Sequence, residues 1–231
     1  MANPGVIGNG FLISNGNFVT ARQNVQPWIY SGVLTDGQWR QDLAEYFACG
    51  CDIEIQYSAY SSTGTANKFV LSSRDFKHPT DYVESHLQIT KRIRTVLKKS
   101  GFTIDYMTDY RRTYSQFAHT SSCYAVIHGL SKDGGIPTSN VSIEGGKSIK
   151  IAGYEGNTDV HNLTSFRYLT STTEYKDDEN GTYILQDGSN TTGFLGSPAF
   201  IQDEDKSYKC VGVYVGKMYD RPRIVPINRC Y

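Results

Sequence analysis

The sequence has little that would tie it to a membrane or to a polyanion. Its 23 basic side chains balance 23 acidic ones, so bulk electrostatics give it no affinity for nucleic acid. No apolar run approaches the ~18 residues that a transmembrane helix needs. Residues 1–5 lack the charged and apolar regions of a signal peptide. We therefore expect no membrane segment and no signal peptide, and the compartment stays unknown.

Cysteine is too scarce, and odd in number, for a complete internal disulfide framework. There are five cysteines, so at least one thiol is free or bonded to another chain. Cys49 and Cys51 could begin a zinc site, but no second Cys/His pair with ligand spacing follows. The sequence therefore predicts no metal and no cofactor.

Glycine and tyrosine, in contrast, are abundant, with 22 and 17 residues. Turn-forming glycine and β-favouring aromatic residues are typical of an all-β fold. Apolar and polar residues alternate with a period of two, for example at Ile53, Ile55 and Tyr57. Asn15 and Gly16 form a strong hairpin-turn signal between two such runs. The chain is predicted to consist mainly of antiparallel strands.

One segment, residues 82–101, departs from the strand pattern and predicts a helix. Ile89, Ile93 and Leu97 recur at helical spacing, and Gly101 is a plausible C-cap. The same segment holds a basic cluster, for which a solvated face is the simplest interpretation, so nucleic acid is not predicted as a partner. The cluster consists of Lys91, Arg92, Arg94, Lys98 and Lys99.

Two segments resemble the chymotrypsin/trypsin-like serine proteases. Residues 8–25, GNGFLISNGNFVTARQNV, are similar to the hairpin of that family that ends in Thr-Ala-x-His. Residues 193–200, GFLGSPAF, are similar to its Gly-x-Ser-Gly-Ser/Gly-Pro nucleophile loop. Further landmarks follow in the order of the family, and the match covers nearly the whole chain outside about residues 29 to 118. These landmarks are residues 123–127, 149–156, 211–216 and 223–227.

The resemblance implies two antiparallel six-stranded β-barrels packed side by side, with a cleft between them. The N-terminal barrel would occupy residues 1–130, with a helical insertion near residues 82–101. The C-terminal barrel would occupy residues 141–231. Residues 131–140 are rich in turn formers, which predicts the linker between the barrels.

At the three catalytic positions of that family, this chain carries different chemistry. Leu195 matches the serine nucleophile, Gln23 the histidine base and Cys123 the aspartate that orients the base. Leucine offers no nucleophile, and glutamine cannot accept and return a proton near neutral pH. Three replacements of different chemical kinds predict that the chain is not an active serine protease.

Two alternatives stay open on the sequence. An active peptidase would need a relocated or cysteine-based centre, for which Cys123 is the candidate thiol. On a strand, Cys123 and His128 are five residues apart and point to opposite faces, which argues against that dyad. The second alternative is a general all-β adhesion or capsid-type domain whose motifs match by accident.

The degenerate loop keeps features that suit binding. The backbone amides of Gly193 and Leu195 match the oxyanion-hole donors of the family. The resemblance also implies a strand edge that can pair with an extended peptide. That edge comprises Val213, Tyr214, Val215 and Gly216. We predict a non-enzymatic binding, scaffolding or regulatory module whose partner is a protein or peptide.

Overall fold

The computed structural model describes residues 8–14, 16–25, 52–57, 67–72, 92–99, 102–109, 124–128, 135–154, 166–178, 181–186, 194–218 and 221–229. These residues form strands β1 (Gly10–Leu12), β2 (Phe18–Ala21), β3 (Asp52–Tyr57), β4 (Asn67–Ser72), β5 (Arg92–Lys99), β6 (Phe102–Asp109), β7 (Tyr124–His128), β8 (Ser148–Tyr154), β9 (Phe166–Asp177), β10 (Thr182–Leu185), β11 (Pro198–Gln202), β12 (Tyr208–Met218) and β13 (Arg221–Pro226). A one-turn helix α1 (Arg22–Val25) follows β2, and a 3-10 helix (Ile227–Arg229) follows β13. Neither helix has the length and apolarity that a membrane crossing requires.

The C-terminal strands close into a six-stranded antiparallel barrel in the order β10-β13-β12-β11-β8-β9. Along β8, buried Ile149 and Ile151 alternate with more exposed neighbours, as a strand with one buried face requires. Shifts in register interrupt the β10–β9, β11–β12 and β12–β13 pairings. Bulges of this kind bend strands, which helps a sheet to close. The prediction of an all-β chain with a C-terminal six-stranded barrel is confirmed.

The N-terminal strands form an open sheet in the order β1-β2-β7-β6-β5, and β3 pairs with β4 in a separate two-stranded sheet. The described residues therefore do not form the second closed barrel that the resemblance implied. All four pairings of this sheet are antiparallel and continuous, as in Val19 opposite Val126. The boundaries given for the two barrels and the linker stay predictions.

The helix predicted over residues 82–101 is wrong for residues 92–99, which form strand β5. Ile93 and Leu97 fit helical spacing, but Ile93, Thr95 and Leu97 fit strand alternation equally well. β5 pairs with β6 along its whole length, from Arg92 opposite Asp109 to Lys99 opposite Phe102. This pairing with the next strand along the chain decides between two periods that the residues of β5 satisfy on their own. The rest of the predicted helix lies outside the described residues.

The predicted linker is hydrogen-bonded to both units. The backbone N–H of Ile136 donates to the carbonyl of Leu12 at the end of β1, at 2.8 Å. At the next residue, the carbonyl of Pro137 accepts the N–H of Cys210 in β12 at 2.9 Å, and the N–H of Ser139 donates to the carbonyl of Cys210 at 2.9 Å. Residues 135–139 thus bridge the sheet and the barrel, and we call this segment the strut.

Two apolar cores contain most of the buried apolar side chains of the described residues. One fills the barrel and includes Ile149, Ile151 and Leu185. The other lies between the sheet and the outer face of the barrel, and we call it the shared core. It contains Phe11, Ile13, Val19, Ala21 and Val126 from the N-terminal part, with Cys210, Val213, Val215, Val225 and Ile227 from the C-terminal part.

A buried ion pair joins β9 to β13 and generates the first prediction. Nη1 of Arg223 lies 2.6 Å from Oδ2 of Asp177, with side chains only 7% and 15% exposed. Asp177→Asn leaves the guanidinium without its counter-charge, and should lower the free energy of unfolding by about 3 kcal/mol. The measurement is urea unfolding followed by circular dichroism.

The neighbouring Asp178→Asn is the matched control. Asp178 pairs with Lys176, but these side chains are 82% and 51% exposed, so its loss should change the free energy of unfolding by less than about 0.5 kcal/mol. Equal effects of the two substitutions would contradict the energetic role assigned to Arg223 and Asp177.

Candidate functional site

The segment that resembles a nucleophile loop is a tight turn at the mouth of the barrel. The N–H of Ser197 donates to the carbonyl of Phe194 at 2.9 Å, closing a four-residue turn. Gly196 occupies the third position with φ +86°, the left-handed value that a type II turn requires there. We call residues 194–197 the Leu195 turn.

The first two side chains of the Leu195 turn are anchored in different cores. Phe194 is fully buried inside the barrel core. Leu195 is half-buried and packs against the shared core between sheet and barrel. The side chain at the position matched to the nucleophile therefore contributes to packing, and it offers no atom for acyl transfer.

The backbone of Leu195 is held by hydrogen bonds from two distant segments. Its carbonyl accepts the N–H of Asn9 at 2.7 Å and Nδ2 of Asn24 at 2.9 Å. The carbonyl of Asn9 in turn accepts Oγ1 of Thr20 at 2.7 Å and Nδ2 of Asn24 at 3.0 Å. A buried carbonyl that accepts two donors is well satisfied, so this network fixes the turn.

Asn9 also connects the Leu195 turn to the barrel wall. Its Oδ1 accepts the N–H of Tyr154 at 2.7 Å, and its Nδ2 donates to the carbonyl of Tyr154 at 2.9 Å. The side-chain amide thereby makes the two bonds that a neighbouring backbone would make at the end of β8. Sequence reasoning did not identify Asn9 or Asn24, because Tyr154 and Leu195, which they bind, lie 145 and 171 residues away. Thr20 was missed with them because its hydroxyl acts through Asn9.

The sequence-predicted catalytic positions are located in part. Gln23 lies on α1, and the bond from Asn24 to the Leu195 carbonyl places that helix against the Leu195 turn. The side chain of Gln23, the whole of Cys123 and the oxyanion-hole candidate Gly193 lie outside the described residues. The oxyanion-hole assignment stays a prediction.

The predicted peptide-binding strand is part of β12 and lies between β11 and β13 in the barrel. Val213 is opposite both Pro198 and Val225. The N–H of Tyr214 donates to the carbonyl of Ser197 at 2.9 Å, and the carbonyl of Tyr214 accepts the N–H of Gly196 at 2.8 Å. The Leu195 turn therefore uses the backbone N–H and carbonyl of Tyr214 as hydrogen-bond partners. The side chains of Val213 and Val215 lie in the shared core.

Cys210 is the free cysteine within the described part of the chain, and it is not placed for nucleophilic chemistry. It is fully buried in the shared core. Burial raises the pKa of its thiol to about 12, against weaker opposing hydrogen bonds from the Gly212 and Ala199 backbone. Across the described ranges, no group of three or more His, Cys, Asp and Glu residues could hold a metal ion.

Comparisons with known proteins found solved structures but no sequence relatives. No protein-family model matches the chain, and no curated protein matches it. A scabies mite inactivated protease paralogue, S-I1, is 12% identical with a TM-score of 0.48, over 95% of this chain and 83% of its own. An atomic-resolution structure of HBP is 11% identical with a TM-score of 0.43, over 96% and 80% of the two chains.

A mutant of human heparin binding protein (CAP37) is also similar, at 11% identity and a TM-score of 0.42, over 94% of this chain and 79% of its own.

Gly196 and Gly146 provide a matched pair for testing the rigidity of the Leu195 turn. Both adopt left-handed backbone, with φ +86° and +83°. A Cβ at Gly196 would collide with the Asn9 carbonyl, whereas a Cβ at Gly146 would meet nothing within 4 Å. Gly146→Ala should therefore cost about 1 kcal/mol of unfolding free energy, and Gly196→Ala at least about 3 kcal/mol. Similar losses in chemical denaturation would show that the turn is loosely held.

The burial of Cys210 makes a prediction about thiol reactivity. With a pKa of about 12, its thiolate fraction is negligible at pH 8, so native protein should leave Cys210 unalkylated by iodoacetamide. Peptide mass spectrometry should find Cys210 labelled only after denaturation. Labelling of Cys210 in the native state, at the rate seen in the unfolded chain, would contradict its placement.

Proposed function

We propose that this chain is a chymotrypsin-fold homologue that does not hydrolyse peptides and acts instead by binding a protein or peptide partner. The observation that carries the proposal is the setting of Leu195. Its side chain packs against the shared core, and its carbonyl accepts the Asn9 N–H and the Asn24 amide. The packing of the side chain and the hydrogen bonds to the carbonyl both stabilise the Leu195 turn.

The chemistry of the matched positions supports the same proposal. Acyl transfer in a serine protease needs a hydroxyl, an imidazole base and an orienting carboxylate. The sequence carries Leu195, Gln23 and Cys123 at those positions. Removal of a single member of such a triad costs several orders of magnitude in rate, so three replacements leave no route to hydrolysis through this set.

The competing proposal is an active peptidase with a relocated or cysteine-based centre. Within the described residues it gains no support from Cys210, because a buried thiol with a pKa of about 12 is not a nucleophile at neutral pH. Cys123 remains the thiol on which that alternative would depend.

Activity assays decide between the two proposals. Purified chain should show no labelling by a fluorophosphonate probe and no cleavage of a broad fluorogenic peptide library, with trypsin as the positive control. Peptide cleavage that persists in Leu195→Ala but disappears in Cys123→Ala would establish the cysteine-based centre. Cleavage by the wild-type chain of any kind, once contaminating protease is excluded, would overturn the proposed function.

A further inference from the structure

Two exposed tyrosines meet at one lysine on the outer wall of the barrel. Tyr168 on β9 and Tyr208 on β12 are 64% and 40% exposed, among the most exposed large apolar side chains of the described residues. Lys150 on β8 reaches both of them. We call these three residues the Tyr–Lys patch.

The contacts within the patch hold its side chains in place. Nζ of Lys150 donates to the Tyr208 hydroxyl at 2.8 Å and lies 5.0 Å from the centre of the Tyr168 ring. Tyr168 is opposite Ala152 in the β8–β9 register, two residues along from Lys150 on the same face, and Ala152 has a small side chain. Three strands thus present one preformed surface, which lowers the entropy lost when a partner binds.

Among the described residues, the ammonium group of the patch has no counter-charge. Of its three donors, the hydrogen bond to Tyr208 uses one, and no carboxylate within the described ranges pairs with Lys150. Two of the three carboxylates in the acidic turn that precedes Tyr208 are already engaged. Asp203 pairs with Lys209 at 2.6 Å, and Asp205 accepts the backbone N–H of Ser207 at 2.9 Å.

The protonation state of the patch is also defined. The hydrogen bond to Tyr208 is the main cause that raises the pKa of Lys150 above its usual value, and desolvation opposes it only in part. Lys150 is therefore cationic throughout the physiological range of pH. The exposed tyrosines match the composition of binding hot spots, in which tyrosine is enriched, and Lys150 adds a positive charge beside them.

We propose that the Tyr–Lys patch binds a segment of a protein partner in which an aspartate or glutamate lies next to an aromatic or aliphatic side chain. The carboxylate complements Lys150, and the apolar neighbour packs on the rings of Tyr168 and Tyr208. This inference rests on the proposed binding function and assigns that function a surface, on the barrel wall and away from the Leu195 turn.

A selection from random peptides tests the chemistry without a known partner. Phage-displayed 12-residue peptides are selected on the folded chain, and the enriched sequences are synthesised and measured by fluorescence anisotropy. We expect enriched peptides to share an acidic residue beside an aromatic or aliphatic one. Their Kd should rise about tenfold or more with Lys150→Glu, and with Tyr168→Ala or Tyr208→Ala.

The chain offers matched controls for each type of change. Lys147→Glu makes the same charge reversal at another exposed lysine three residues away, and Tyr175→Ala removes another exposed tyrosine, 51% exposed, from the same strand as Tyr168. Neither should change the Kd by more than about twofold. Lys150→Gln, which keeps a polar side chain and removes the charge, should weaken binding as Lys150→Glu does. Circular dichroism verifies the folding of every variant.

Each contrary outcome overturns the assignment. Peptides without acidic residues, a Kd indifferent to Lys150→Glu, or no enriched peptide at all would each remove the Tyr–Lys patch as a binding site. A labelled oligothymidylate that binds the wild-type chain and is lost in Lys150→Glu would assign the patch to nucleic acid instead. The proposed function fails on a separate measurement, the hydrolysis of peptides, so the two failures are distinguishable.

Discussion

Strand β12 belongs to two apolar cores, and the arrangement of sheet, barrel and Leu195 turn depends on this. Val211 and Tyr214 face the barrel interior, whereas Val213 and Val215 face the N-terminal sheet. Burial of an apolar side chain of this size contributes roughly 1.5–3 kcal/mol, so both faces of the strand stabilise the structure. A register shift between Tyr214 and Lys217 interrupts the pairing with β13 near the point where the strand passes the Leu195 turn.

The Leu195 turn lies where the two cores meet, and its first two side chains pack into them. Leu195 extends the shared core. Phe194 does the same for the barrel core. Sites that perform chemistry commonly sacrifice stability, whereas both of these side chains contribute to packing. Gly196 and the hydrogen bonds of Asn9 keep the shape of the turn.

Local sequence patterns predicted the C-terminal half well and the N-terminal half less well. Ile149 and Ile151 alternate with more exposed residues, and this period of two predicts strand β8. Residues 92–99 satisfy a helical and a strand period together, and only the pairing with β6 decides between them. The bond between Asn24 and Leu195 joins residues 171 apart in the sequence, a separation at which no local pattern carries information. That β12 contributes side chains to both apolar cores likewise depends on the packing of the sheet against the barrel, which no local pattern encodes.

The strut has a mechanical consequence for the whole molecule. Ile136 is bonded to Leu12 in the sheet, and Pro137 is bonded to Cys210 in the barrel, with a single peptide unit between the two attachments. Because the connection is so short, rotation of the barrel against the sheet would break both hydrogen bonds. The same rotation would separate the side chains that pack in the shared core. A molecule bound to the barrel wall would therefore keep a fixed distance and orientation relative to a molecule bound to the sheet.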